Sequence, residues 1–419
     1  MVGTDDLVTD SDTFSLRIVD SVSEVPAATW DRLGCVSGMD GIGNPFARHA
    51  FLLSLEEAGC VGRRVGWLPQ HLVLESPGGE TIAAAAAYVK SHSQGEYVFD
   101  HGWAEAFQRA GGRYYPKLQI SAPFTPATGP RLLVGSGPGA EIRRLALCEG
   151  IKTFVDQTGI SSAHATFLTA DDLNSMEASE FLHRTDQQFH FRNRAFGSYD
   201  DFLATLASRK RKGLRKERAQ ALANGITIEW LTGSDITVEA WDAFFAFYMD
   251  TGSRKWGRPY LNRRFFSLLG ERMADQILLV MAKREGRYIA GALNFIGPDA
   301  LYGRYWGCIE EHPFLHFEVC YHQAIDYAIE HRIPLVEAGA QGEHKLARGY
   351  EPVTTHSAHY IAHAGLRRAI EDHLDDEREQ VARMQDVLGE HTPFRKGEVS
   401  PVVPSDRVPE RLDAEDPAD

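Results

Sequence analysis

The sequence predicts an α+β protein built as two similar halves, each with a mixed, largely antiparallel sheet. Three observations predict it. Two strand–turn–strand signals stand in opposite halves of the chain, "HLVLESPGGETIAAAAAYV" and "QILLVMAKREGRYIAGALNFIG". Around each the same order recurs: helices, the hairpin, a third strand, a helix and a last strand. The chain's 419 residues exceed one ordinary domain, and 43% hydrophobic residues can fill more than one core.

The first half opens with the alternating strand "TFSLRIVDSV", then "PAATWDRLG" and "PFARHAFLLSLEEAG" at helical spacing. "HLVLES", "ETIAAAAAYVK" and "GEYVFD" read as strands, the first two joined by a Pro-Gly-Gly turn. A helix over 103–110, strands at "KLQI" and "RLLV", a helix over 139–157 and the strand "SSAHATFL" complete it. Pro and Gly make "SAPFTPATGP" (121–130) a loop. In the second half, helix "YDDFLATLA" runs into a basic helix, followed by strand "ITIEWL" and helices "VEAWDAFFAFYMDTG" and "NRRFFSLLGERM". The hairpin turning at Glu285-Gly286, strand "ALYGRYWGC", helix "FEVCYHQAIDYAIEHR" and strands "PLVEAGA" and "TTHSAHYIA" follow. The expected boundaries are 14–182 and 183–364 for the halves, joined near 180–198. A C-terminal helix over 365–394 and a Pro-rich, acidic, disordered tail over 395–419 close the chain.

A formal net charge of −14 argues against a protein that coats DNA or anionic membrane, because the summed field repels phosphate. No apolar run reaches the ~20 residues of a membrane-spanning helix. The acidic start lacks the pattern of a secretory signal. Five scattered cysteines show neither a disulfide framework nor a zinc spacing. A cytoplasmic protein is expected.

Against that acidity, "SRKRKGLRKERAQA" (208–221) holds seven Lys or Arg and a single Glu. On a helix, Arg211, Arg215 and Arg218 share one face, while Leu203, Leu206, Leu214 and Ala221 give an apolar stripe elsewhere. Like charges so spaced repel, so Arg211, Arg215 and Lys216 are read as receiving an anion such as a phosphate or a nucleotide-linked substrate. A second cluster, "EAGAQGEHKLARGYEP" (337–352), follows the end of a strand. Gly339 and Gly342 let its backbone turn tightly, and Glu337, Glu343, His344, Lys345 and Arg348 crowd into one short window.

The chain resembles the Fem-type aminoacyl transferases and the related bacterial peptidoglycan biosynthesis or recognition proteins. The resemblance rests on "RKRKGLRKERAQALANGITIEW", "YMDTGSRKWGRPYLNRRFF", "YIAGALNF", "LVEAGAQGEHKLARGY", "NPFARHAFLLSLEEAG" and "APFTPATGPRLL", spread over residues 40 to 362. It implies two tandem GNAT-like, acyl-CoA N-acyltransferase-like domains, with the basic helix bordering the cleft between them. It also implies that Lys345, where the family reads "FKxGFG", contacts substrate phosphate or carboxylate. His344 stands where the family often has an aromatic, and Ala340-Gln341 replace a second glycine, which leaves the substrate open.

The expected reaction is amide formation by direct attack of a bound amine, since no nucleophile elbow or Ser-His-Asp set is legible. Glu337, Glu343 or His344 would take the amine proton, with Glu318 a further candidate. Lys345, Arg348 and Tyr350 would hold phosphate or carboxylate, Gly339, Gln341 and Gly342 would shape the loop, and Arg254, Trp256 and Tyr260 would form a rim. No permanently bound cofactor is expected. The acyl donor, aminoacyl-tRNA or acyl-CoA, would be a co-substrate, so charged tRNA is a candidate partner. A second reading is an acetyl-CoA-dependent N-acetyltransferase, disfavoured where "CIEEHPFLHFE" puts two glutamates at the pyrophosphate position, but with "VGSGPGAE" (134–141) in the first half as an alternative phosphate loop. A third is a non-catalytic binding protein of the same fold. The histidines at 312, 316 and 322 and at 356, 359 and 363 are read as hydrogen-bonded rather than metal-ligating.

Overall fold

The structure, a computed structural model, describes residues 14–35, 43–255, 259–339 and 342–395, without the side chains of 253–255, 343 and 390. The expected tail lies outside the described residues from 396 onward.

In the first half, β1 (Ser15–Val19), α1 (Ala27–Gly34) and α2 (His49–Glu57) precede β2 (Trp67–Pro69), β3 (His71–Glu75), β4 (Thr81–Ala85) and β5 (Ala87–Lys90). Then come α3 (His101–Arg109), β6 (Lys117–Ile120), α4 (Ala140–Thr158), β7 (Ser162–Thr166), α5 (Ala170–Ala178) and β8 (Leu182–Arg192). The second half holds α6 (Tyr199–Thr205), the basic α7 (Ser208–Ala221), β9 (Ile226–Leu231), α8 (Val238–Lys255) and α9 (Arg263–Arg272). It continues through β10 (Ile277–Arg284), β11 (Arg287–Ile296), β12 (Ala300–Cys308), α10 (Leu315–Phe317), the π-helical turn Glu318–His322 and α11 (Gln323–Glu330). β13 (Leu335–Glu337), β14 (Glu351–Ile361) and α12 (Ala364–Glu390) end it.

Strands β1, β3 and β4 form a small sheet, and the other eleven form one sheet in the order β2-β5-β6-β7-β14-β8-β13-β12-β11-β10-β9. Each half contributes an antiparallel run ending in one parallel pair, β6 with β7 and β12 with β13. The last strand of each half then crosses over. β14 pairs with β7 of the first half, β8 pairs with β13 of the second, and β8 and β14 pair with each other over nine residues. The segment expected to join the halves near 180–198 is therefore mostly strand. Its pattern "LHRTDQQFHFR" hid this, because polar side chains face helix α12 and α12 covers them: Arg184 makes a two-pronged bond to Glu377 at 2.8 and 2.7 Å.

Three strand expectations fail for physical reasons. "ETIAAAAAYVK" is two strands that part at Ala86 into different sheets. Its alanines are small enough to be fully buried on both sides of the bend. "GEYVFD" makes no ladder, since Tyr97 takes a left-handed φ of 63° and its carboxylates turn inward: Glu96 and Asp100 both receive Lys117. "RLLV" contributes a single bridge, Leu133 to Ala84. The buried polar cluster around Lys117 extends to β14, where His359 meets His164 of β7 at 2.7 Å.

Helix α8 lies so close to β12 that a Cβ on Gly307 would come within 2.1 Å of the Phe247 carbonyl oxygen. Backbone cannot yield as a side chain can. Gly307→Ala is expected to lower stability by about 2 kcal/mol or more, read as a reduced denaturant midpoint with an unchanged slope.

Candidate functional site

The site is built where the parallel pair β12–β13 ends, the position at which strands of such sheets present ligand-contacting loops. Glu337, the last residue of β13, pairs in register with Tyr302 of β12 and with His190 of β8. Its side chain is almost fully buried. It accepts a long bond from the Thr128 amide at 3.4 Å and lies 4.0 Å from His190 Nε2. Burial pushes this carboxyl up to about 8, only partly opposed by Thr128, Arg304 and Arg131. Burial likewise holds His190 down to about 3, so the ring is neutral.

Thr128 belongs to the Pro-rich loop 121–130 of the first half, which crosses to the second. Asn44 ties that loop to Tyr302, bonding the Thr128 carbonyl at 3.0 Å and the Tyr302 hydroxyl at 3.2 Å. Phe124, at φ 59°, offers its carbonyl to Arg304 at 2.6 Å and Tyr305 at 3.1 Å. Its ring stacks on Tyr260, 4.8 Å between centroids. Thus Tyr260 sits at the seam between the halves.

After β13 the chain turns through Gly339 (φ 77°) and Gly342 (φ 121°) into a 3-10 turn, Glu343–Arg348. Lys345 points back from this turn, 1% exposed, and its Nζ donates to the Gly339 carbonyl at 2.8 Å. Burial brings this ammonium down to about 7, and Arg304 adds to the effect. A carboxyl moved up and an amine moved down, on one short loop, stand near neutrality together.

The remaining sequence candidates divide. Trp256 and Gln341, and the side chains of Arg254 and Glu343, lie outside the described residues. His344 is exposed, with Nε2 2.9 Å from the Tyr321 hydroxyl. Arg348 donates to Glu217, and Tyr350 is fully buried against Phe191 and Tyr321. Glu318 is fully buried and grips Arg218 at 2.8 Å, with Asp326 joining at 2.5 Å. Despite burial, these bonds hold the Arg218 guanidinium firmly protonated. These side chains are committed to partners within the second half.

Helix α7 forms because Arg and Lys are good helix formers and acids anchor its inner side. Arg218 turns to Glu318 and Asp326, while Arg215 and Lys216 are exposed and Arg215 reaches Asp200 at 2.8 Å. Arg211 is half-buried. The polar bonds of α7 run to the second half, while the seam with the first half is formed by loop 121–130.

Sequence reasoning missed Arg304, Glu217 and His190. Arg304 is the additional residue of a bulge in β12, where the register with β11 slips, and its Nε is buried without a partner among the described residues. A Gly-Arg step inside an aromatic strand was the available signal. The π-helical turn, a feature frequent at functional sites, had none. Beyond Trp306 and His316, whose rings are 5.1 Å apart, opens a cavity of about 330 Å3 lined also by Thr251, Cys308, Glu310 and Leu315. Among the described residues no group of three or more His, Cys, Asp or Glu is placed to hold a metal ion, and no helix is long and apolar enough to cross a membrane.

Two halves of this topology, sharing strands around a seam, make a tandem GNAT-like fold. The chain belongs to the FemAB-like family, described as peptidoglycan biosynthesis/recognition, whose model matches residues 21–396. The crystal structure of FemX is similar in fold: TM-score 0.52, 13% identity, 85% of this chain and all of that one covered. L-PGS from Bacillus licheniformis (TM-score 0.46, 11% identity, 84% and 98% covered) and a tandem GNAT protein from the clavulanic acid biosynthesis pathway (0.42, 10%, 84% and 98%) are more distant. No curated protein matches significantly.

The raised carboxyl has a consequence for stability. Between the ordinary carboxylate value of 4.5 and about 8 the folded protein holds a proton at Glu337 that the unfolded chain releases. Its contribution is therefore present in full at low pH and declines as pH rises through that window. Glu337→Gln is expected to flatten the decline, measured as urea midpoint against pH from 5 to 8.

Proposed function

We propose that the protein is an amide-forming acyl or aminoacyl transferase, acting on the amine of an anionic, nucleotide-linked cell-wall precursor. What supports this above all is that Glu337, at the end of the parallel pair, and Lys345, on the turn that follows it, are both buried and both drawn toward neutrality. Family membership supplies the peptidoglycan context.

In this mechanism the ionised Glu337 takes a proton from the attacking amine. The nitrogen forms a bond to the donor's carbonyl carbon, and the carbonyl oxygen gains charge. Arg304, whose buried Nε–H has no partner among the described residues, and Lys345 would stabilise that charge. As the ester or thioester bond breaks, the leaving oxygen or sulfur takes a proton from Lys345 or Glu337. The exposed cations of α7, Arg215 and Lys216 with the half-buried Arg211, receive phosphate. Tyr260, exposed and stacked on the buried Phe124, would rim the entrance. The cavity beyond Trp306 has a volume suited to one small acyl or peptide moiety.

Transfer from aminoacyl-tRNA, or from acetyl-CoA in a parallel arm, to a UDP-linked muramyl peptide tests the proposal by mass spectrometry. The aminoacyl arm is expected to yield an amide, with a bell-shaped pH–rate profile that peaks between about 7 and about 8, since the rate needs Glu337 ionised and Lys345 still protonated. Glu337→Gln should lower kcat by about 10²–10⁴-fold, and Lys345→Ala should abolish turnover. Product from acetyl-CoA alone would establish the acetyltransferase instead. Binding of the precursor without product from either donor would leave a recognition protein.

A further inference from the structure

We propose that Glu217 is a positioning residue for Lys345: it carries the hold of the basic helix onto the turn that presents the lysine. This rests on reading Lys345 as a site residue. Glu217 is the single acid among the seven cations of 208–221, and relief of charge within the helix does not explain it. The positions three and four away are Gly213, Leu214, Gln220 and Ala221, none of them a cation.

Its partners lie elsewhere. Arg348 donates to both Glu217 oxygens, Nε at 2.8 Å and Nη2 at 2.7 Å, and His322 of the π-helical turn lies 2.9 Å away. Those bonds outweigh burial and keep the Glu217 carboxylate below its usual range. The third nitrogen of Arg348 donates to the His344 carbonyl at 2.6 Å, on the residue before Lys345. The guanidinium also lies 3.4 Å over the Phe317 ring, which leaves it no other seat. Lys345 in turn holds the Gly339 carbonyl, two residues beyond Glu337.

The 3-10 turn Glu343–Arg348 follows Gly342 and has no side-chain cap; besides its own backbone bonds and the Tyr321 contact to His344, its anchor is Glu217. One contiguous path, from Glu217 through Arg348 to the His344 carbonyl and along the chain to Lys345 and Gly339, ties the turn to α7. Arg218, the neighbouring residue on α7, is committed to Glu318 and Asp326 and cannot substitute.

The test reads the lysine directly. The groups facing it are Arg304 of β12, Cys320 of the π-helical turn and His190 of β8. In the full chain with 13C-labelled lysine, the Lys345 ε resonance is identified by its loss in Lys345→Met and titrated by NMR. A wild-type midpoint near 7 is expected. In Glu217→Gln the turn loosens, water reaches the amine, and the midpoint should rise by about one pH unit or more, with Glu217→Asp restoring part of the difference. Should the single variant fail to fold, Glu217→Gln with Arg348→Met removes both charges and should give the same rise. An unchanged Lys345 midpoint in a folded variant, with only the melting temperature lowered, overturns the proposal. If the midpoint moves but Lys345→Met still transfers, the positioning stands and the functional reading falls.

Discussion

The structure depends on the exchange of final strands between its halves. β14 enters the first half beside β7, β8 enters the second beside β13, and the two lie against each other. Neither half can complete its sheet alone, because an unpaired central strand would leave a row of buried N–H and C=O groups unsatisfied. The buried contact of His164 on β7 with His359 on β14 adds polar specificity to that exchange, and the half-buried pair of Arg184 with Glu377 docks α12 on β8. Such long-range pairing fixes the seam on which the candidate site is assembled.

Much of the fold was legible. Hairpins at Pro77-Gly78-Gly79 and Glu285-Gly286, the helices α1, α2, α4, α7, α8 and α9, and the recurring order all follow from local periodicity and turn chemistry. What escaped was set by tertiary contacts. β8 reads as polar because α12 covers its outward face, and no local pattern announces a strand that joins the other half. Of the site, the loop bearing Glu337 and Lys345 was visible through its glycines and its density of ionisable residues. Glu217 and Arg304 were not, since each takes its meaning from a partner more than a hundred residues distant.

The basic helix in an acidic chain is now intelligible in two parts. Its inner edge is neutralised by acids of the second half, two of which, Glu318 and Asp326, converge on Arg218. Its outer edge keeps its charge exposed. A long-range negative field with a local positive face discriminates among anions, repelling extended polyanions unless their shape brings phosphate to that face. The site's own ionisable pair is governed differently: desolvation, more than any counter-ion, sets Glu337 and Lys345, which makes both sensitive to water admitted to the seam.

One feature of the sheet bears on motion. His190 is paired on one side with Glu337 and on the other with Glu351, so a residue of β8 is stitched into both of its neighbours at the edge of the site. Two lobes knitted in this way cannot swing apart like jaws around a hinge without tearing the sheet. Any opening would have to be local to side chains, since loop 121–130 is itself buried and tied across the seam, with the sheet as a fixed bed beneath. The tempo of such an opening would be that of side-chain rearrangement, indifferent to the slow rocking that governs proteins whose lobes are merely tethered.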